Sequence, residues 1–181
     1  SYFIYVGGYA KPKGIEELIE TFMKLYDEEK VKSKLVLTGD KLYYSSYFEG
    51  LIKQGKEKGF LEEMGYVTES ELCELYSNAL ALVYPSTFEG FGLPPLEAMT
   101  LGCPVITTRN TSIPEVCGNA AYYIDLTDVE GFGQSFIDLE NDPELRLKLV
   151  SDGKRQASKF SWKSISQSFL DRLSDLINSQ N

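Results

Sequence analysis

Short apolar runs alternate with longer segments of helical period along most of the chain. YFIYV at residues 2–6 reads as a strand. Residues 14–26 (GIEELIETFMKLY) place Ile15, Leu18, Ile19, Phe22 and Tyr26 on one helical face. KLVLTG at 34–39 is the next strand, and 47–59 (YFEGLIKQGKEKG) reads as a helix despite two interior glycines. EEMGYV at 62–67 predicts a short strand around Met64. Thr68 and Glu71 form the T-x-x-E pattern in which each side chain satisfies the other residue's N–H, so a helix over 71–79 follows. LALVYP at 80–85 is apolar throughout, as in a strand covered on both faces. PPLEAMTLG at 94–102 opens on prolines, tolerated at a helix start, and closes on Gly102. PVITT at 104–108 and AYYI at 121–124 are the last two strands. Beyond them the pattern is helical. A helix over 141–160 has Asp142 as N-cap and Pro143 at its first position. A C-terminal helix over 161–178 lines up Ile165, Phe169, Leu173 and Leu176.

Strands alternating with helices predict an α/β fold: a doubly wound, Rossmann-like parallel sheet with helices on both faces. No internal repeat, low-complexity stretch or linker divides residues 1–181, so we expect a single domain with its own core. The abrupt start on a core strand reads as a domain cut from something larger. In such sheets ligands bind beyond the carboxyl ends of the strands, so the chemistry is sought in the segments that follow them.

Composition narrows that search. A hydrophobic share of 43% and a charged share of 25% are ordinary for a soluble globular chain. A net charge of -9 argues against nucleic acid as partner and against a basic membrane-docking face. The absence of histidine removes Ser-His-Asp and Cys-His sites and any His-ligated metal. Cys73, Cys103 and Cys117 are widely spaced, without a CxxC, and read as reduced thiols rather than zinc ligands or disulfides. No apolar run is long enough to span a membrane, and no signal-peptide pattern is present.

Four post-strand segments carry candidate chemistry. GGYAKPKG (7–14) combines two glycines, a helix start and the charges of Lys11 and Lys13, which suits a phosphate; it is neither a dinucleotide fingerprint nor a Walker A loop. TGDKLYY (38–44) offers Gly39 and polar residues, equally readable as an ordinary turn. GYVTESEL (65–72) leaves open backbone beside Tyr66 and Val67, where a flat base could stack or hydrogen-bond, or where a strand simply ends before a helix cap. The fourth, YPSTFEGFGLPPLEAM (84–99), carries two glutamates eight positions apart. The amides of Gly90, Phe91, Gly92 and Leu93 can form an anion cradle at a helix start. Glu97 is expected in the first turn of that helix, where the dipole keeps a carboxylate ionised and able to accept two hydroxyl protons from a vicinal diol such as a ribose. Glu89 precedes the glycines, about where a sugar attached to the phosphate would lie. Two carboxylates also admit a hydrolytic acid and base. That chemistry demands one raised pKa, which a helix start disfavours for Glu97.

STFEGFGLPPLEAMTLGCPVITTRNTSIPEVCGNAAYYID resembles the signature stretch of retaining glycosyltransferases of family 4, also called group 1, and carries their E-x7-E motif as Glu89 and Glu97. YVGGYAKPKGIEELIETF, LVLTGD, GYVTESELCELYSNALALVYPS and the tail FSW extend the similarity over nearly the whole chain. The resemblance implies the C-terminal, donor-binding half of a GT-B enzyme, with the N-terminal acceptor-binding domain absent from this chain. By the same resemblance Glu97 holds the ribose hydroxyls, Glu89 contacts the transferred sugar, and Lys13 with the backbone of Phe91, Gly92 and Leu93 meets the diphosphate. The stretch at Gly65, Tyr66 and Val67 meets the base, with Gly8 and Gly39 lining the donor site. Catalysis would rest on Glu89 and Lys13. Many relatives carry a diphosphate-clamping arginine where this chain has Gly8; some that transfer mannose read VGG there, as here. GDP-mannose is therefore favoured over a UDP-sugar.

The resemblance further implies transfer to a glycan or lipid-linked acceptor in bacterial surface polysaccharide synthesis, in the cytoplasm, with any peripheral contact to the inner membrane made through the missing half. With a nucleoside diphosphate as leaving group, lysine and amides can stabilise the developing charge, and the lack of a D-x-D triplet fits a reaction needing no metal and no cofactor. The alternatives are a noncatalytic sugar-nucleotide-binding module, or a GT-B epimerase or phosphorylase. Phosphorylases of that fold hold pyridoxal phosphate on a lysine, and no matching lysine motif is found.

Overall fold

The structure, a computed structural model, describes residues 1–40, 45–161, 166 and 169–172, without the side chain of Lys11. Among the described residues six strands form one sheet in the order β3-β2-β1-β4-β5-β6. The strands are β1 (Tyr2–Val6), β2 (Lys34–Thr38), β3 (Leu61–Gly65), β4 (Leu82–Tyr84), β5 (Val105–Thr108) and β6 (Tyr122–Ile124). Every pairing is parallel. The helices are α1 (Ile15–Asp27), α2 (Ser46–Lys58), α3 (Glu69–Asn78), α4 (Leu93–Leu101), α5 (Ile113–Cys117), α6 (Val129–Asn141) and α7 (Pro143–Ala157). This is the doubly wound, Rossmann-like α/β architecture that the sequence predicts.

The period-2 geometry of the strands explains why two cores exist. Phe3, Tyr5, Leu35, Leu37, Val83 and Ile106 are buried on one face, under α1, α2 and α6. Ile4, Leu82, Tyr84 and Val105 are buried on the other, with α3, α4 and α5. Alternate residues of one strand thus feed opposite cores, and the strands read as continuous apolar runs. Phe3, Phe22 and Phe136 meet edge-to-face at the centre of the first core, with ring centroids 5.0–6.0 Å apart.

Helix boundaries follow capping chemistry. The capping box forms as expected: Glu71 N–H donates to Thr68 Oγ1 at 3.3 Å and Thr68 N–H to Glu71 Oε2 at 2.7 Å, so α3 begins at Glu69. Asp142 accepts from Leu145 N at 2.9 Å and starts α7. Other boundaries differ from the sequence reading. β3 starts one residue earlier and stops at Gly65, because Leu61 is buried and the positive φ of Gly65 ends the extended backbone. Tyr66 and Val67 therefore belong to the following loop. α5 and α6 do not emerge from the sequence pattern. α6 buries Phe132, Phe136 and Leu139 at helical spacing, but Gly131 and Gly133 interrupt that signal. Gly133 lies on α1, where a Cβ would sit 3.4 Å from Leu25. The helix expected over 161–178, with Ile165, Leu173 and Leu176, falls largely outside the described residues; 166 and 169–172 are helical.

Gly14 caps α1 with φ +63, and a Cβ there would stand 2.3 Å from the Pro85 carbonyl oxygen. Gly59 caps α2 with φ +87 and faces open space. Gly59→Ala carries only the left-handed penalty, about 1–2 kcal/mol. Gly14→Ala adds a clash with backbone, and we expect a total loss of at least about 3 kcal/mol. Urea unfolding of both variants checks this; equal losses would show that the contact at Pro85 relaxes freely.

Candidate functional site

The chain leaves β1 toward β2 and β3, then returns on the other side of β1 as β4. The loops after β1 and β4 thus diverge at a switch point, the place at which open sheets of this kind bind ligands. Backbone contacts join these two loops. The Pro12 carbonyl accepts from Thr87 N at 2.8 Å and Thr87 Oγ1 at 3.0 Å, and Ser86 Oγ lies 3.2 Å from it. Proline at position 12 supplies only a carbonyl, and the loop after β4 satisfies it.

This junction sets Lys13 against Glu89. Lys13 Nζ lies 2.5 Å from Glu89 Oε1 and 3.5 Å from the Tyr84 hydroxyl. The Glu89 side chain is 11% exposed, so its charge is largely removed from water. Burial opposes ionisation of Glu89, but hydrogen bonds from Lys13, Ser86 and Tyr84 outweigh it and hold the carboxyl below its ordinary range. Burial, then the neighbouring Glu89 carboxylate, pushes the Tyr84 hydroxyl upward, so it remains a donor. An ionised Glu89 is a poor proton donor, which counts against a hydrolytic acid at this position.

Hydroxyl side chains from the β5–α5 segment fix the shape of the loop carrying Glu89. Thr107 Oγ1 donates to Tyr84 O at 2.7 Å and Thr108 Oγ1 to Ser86 O at 2.5 Å. Glu89 N donates to Thr111 Oγ1 at 3.0 Å, and Ser112 Oγ lies 3.1 Å from Glu89 O and 2.9 Å from Phe91 O. Gly92 has φ +101, and a Cβ there would meet Ile113 at 2.8 Å, so only glycine fits. Among the described residues, the amides of Gly90, Phe91, Gly92 and Leu93 make no hydrogen bond. Pro94 and Pro95 have no N–H, which concentrates the open donors of this helix start in those four residues.

Glu97 requires a correction. Gly92 is the N-cap and α4 starts at Leu93, one residue before the prolines, so Glu97 lies just beyond the first turn. It is exposed, with the buried Tyr76 hydroxyl 3.5 Å from its Oε2. Its carboxylate is therefore open to solvent, with capacity to accept.

The other expected residues line the same edge. Gly8 is half-buried, its carbonyl accepting from Tyr5 at 3.1 Å. Gly39 packs backbone on backbone: a Cβ would lie 2.2 Å from Gly7 O, and its N–H donates to Gly65 O at 2.9 Å. Tyr66 is 80% exposed and Val67 half-buried. Lys41 to Tyr44 of the second segment, and the side chain of Lys11, lie outside the described residues. The hydroxyl clamp of Ser86, Thr107, Thr108, Thr111 and Ser112 escapes the sequence reading; the signal for four of the five is the hydroxyl-rich run TTRNTS, which begins inside β5 and continues past it. Among the described residues there is no group of three or more His, Cys, Asp or Glu able to hold a metal ion, and no helix long and apolar enough to cross a membrane.

Comparison with known proteins adds to this geometry. The family model "Glycosyl transferases group 1" matches residues 1–156. O-antigen chain mannosyltransferase B of Escherichia coli is 35% identical over 161 residues, covering 89% of this chain and 42% of that protein. The serotype-specific mannosyltransferase WbdA of Escherichia coli is 30% identical over 174 residues, covering 92% of this chain and 21% of that protein. Among solved structures, Anabaena Alr3699/HepE in complex with UDP and glucose superposes with a TM-score of 0.80 at 19% identity, over 96% of this chain and 48% of that one. The chain thus spans less than half the length of these relatives.

The opposed influences on Glu89 make its titration a test of the site. With Lys13 in place, the stabilisation Glu89 contributes is full above the ordinary carboxyl range and fades as pH falls through its depressed pKa. Lys13→Met removes the strongest lowering contact and leaves the burial. The Glu89 midpoint, followed by carboxyl-carbon NMR, should move up. An unmoved midpoint would mean that the Lys13–Glu89 pair does not persist in solution.

Proposed function

The chain belongs to the group 1 glycosyl transferases, and we propose that it is the donor-binding half of a retaining, family 4 enzyme that takes a sugar from a nucleoside-diphosphate sugar. The observation that carries this reading is the meeting of Lys13 and Glu89 at 2.5 Å beside four unengaged amides and an exposed Glu97. The amides and the ammonium suit a diphosphate. Glu97 suits the vicinal diol of a ribose. Glu89, largely buried beside Lys13, would meet the transferred sugar, and Tyr66 and Val67 would meet the base.

Departure of a nucleoside diphosphate builds negative charge on phosphate oxygens. Lys13 has three N–H donors, so it can hold Glu89 and an oxygen together. Preorganised amides at Gly90 to Leu93 need little reorganisation as that charge develops, because Thr111, Ser112 and Ile113 already fix their loop. In this reading the chemistry requires neither metal nor cofactor. The curated relatives named as mannosyltransferases, together with Gly8, favour GDP-mannose as donor. The superposing structure that holds UDP and glucose supports a UDP-sugar as the second reading. The acceptor would be a glycan or lipid-linked saccharide of bacterial surface polysaccharide, bound mainly by an N-terminal half in the cytoplasm or at the inner membrane. That half is consistent with the greater length of the relatives.

Two experiments test the reading. The chain should bind a nucleoside diphosphate equally well with and without EDTA; loss of binding on chelation would make a metal part of the site. Calorimetry should also separate the two glutamates. Glu97→Gln removes charge-assisted hydrogen bonds worth roughly 1.5–3 kcal/mol, so affinity for the bare diphosphate should fall about tenfold or more. Glu89→Gln should leave that affinity unchanged or slightly higher, since Lys13 loses a competing carboxylate, while weakening the nucleotide-sugar. Equal losses for both variants on the bare diphosphate would reverse these assignments.

A further inference from the structure

A second cleft, of about 570 Å³, opens beyond the carboxyl ends of β5 and β6. Its size is within the roughly 300–1,000 Å³ of small-molecule sites. Thr87, Arg109, Asn110, Tyr123, Asp125 and Asp128 line it. Thr108 also lines it, and of these residues only Thr87 and Thr108 take part in the site above. Thr87 belongs to the wall between the two, since it bonds to Pro12 beside Lys13.

The cleft is built with defined geometry. The Arg109 guanidinium stacks on the Tyr123 ring at 3.8 Å from its centroid, and that ring is pinned by its hydroxyl donating to Gly118 O at 2.6 Å. Stacking orients the guanidinium plane, yet Arg109 makes no hydrogen bond or ion pair among the described residues, so its edge donors are open. Asp125 is anchored through Oδ1, which accepts from Thr127 N and Thr127 Oγ1 at 2.8 Å each. Asp128 Oδ1 caps α6 at Gly131 N, 2.9 Å away. One guanidinium against two carboxylates leaves the cleft net negative, which disfavours phosphate or another anion. Fixed donors and fixed acceptors together suit a neutral polyol.

Position along the sheet identifies which polyol. The loop that would meet the base follows β3, and the Lys13–Glu89 pair joins the loops after β1 and β4. The cleft continues the same line onto β5 and β6, past the end where the donor sugar would lie. We propose that this cleft seats a neutral saccharide unit of the acceptor, with Arg109 and Asp125 binding its hydroxyls. The donor-binding half would then hold part of the acceptor as well. This rests on the donor-site reading given under Proposed function.

The test uses the 15N-labelled chain, first titrated with nucleoside diphosphate, then, at saturation, with α-linked mannobiose at millimolar concentration. The expected result is a second set of shifts centred on residues 109–110 and 123–128. Arg109→Ala, its fold verified by thermal melting, should weaken the disaccharide about tenfold or more, as for loss of hydrogen bonds to a charged group. Three results would overturn the inference alone, provided the diphosphate binds: no disaccharide shifts in the cleft, an unaffected Arg109→Ala, or inorganic phosphate binding there more tightly than the disaccharide. A nucleotide-sugar that saturates the cleft resonances by itself would assign the cleft to the donor and equally defeat it. Failure of the diphosphate to bind at all would instead remove the underlying reading.

Discussion

Close backbone approach between the loops after β1 and β4 is the constraint on which the site depends. Thr87 N and Thr87 Oγ1 converge on the Pro12 carbonyl, and Gly14 stands where any side chain would strike Pro85. Both features act between backbones or short hydroxyl side chains, so they leave little freedom in distance. Lys13, between Pro12 and Gly14, therefore arrives at Glu89 with its position already decided. The alternation of the strands into two cores keeps the two loops at adjacent strand ends; the junction sets their separation.

The Lys13–Glu89 pair is a consequence of that framework rather than its support. A half-buried ion pair recovers in Coulomb attraction much of what it loses in desolvation, with little net gain. Its value lies in poise. Hydrogen bonds from Ser86 and Tyr84 keep Glu89 ionised alongside Lys13, so each charge is held in a crevice where a ligand of opposite or hydroxyl-rich character can share it. The acidic chain as a whole, at -9, would repel a diphosphate at long range. In the donor-binding reading proposed above, one ammonium and four amides would offset this only at contact distance, so geometry rather than steering would govern binding.

Much of the fold could be read directly from residue pattern. Apolar runs marked the strands, Thr68 with Glu71 and Asp142 with Pro143 marked helix starts, and alternation of the two predicted a parallel sheet. These signals are local: each depends on neighbours within a turn or a strand. α6 escapes the local pattern because Gly131 and Gly133, the latter packed on α1, interrupt its apolar stripe, and α5 because five residues are too few for periodicity. The start of α4, and with it the place of Glu97, was misjudged by one residue because Gly92 could enter the left-handed region and act as cap.

Residue types determined the chemical repertoire of the site in advance: glycines before helix starts, a lysine, two carboxylates, and no histidine. The motif also identified which segment carried them. Only the tertiary structure decided that Lys13 and Glu89, 76 residues apart, share a proton-donor contact, that five hydroxyls clamp the loop carrying Glu89, and that Arg109 sits over the Tyr123 ring in a second cleft. Local sequence specifies what a residue can do and what backbone it prefers. Which distant partner it meets is determined by strand order and by the free energy of burying both faces of the sheet at once, and no local signal carries that information.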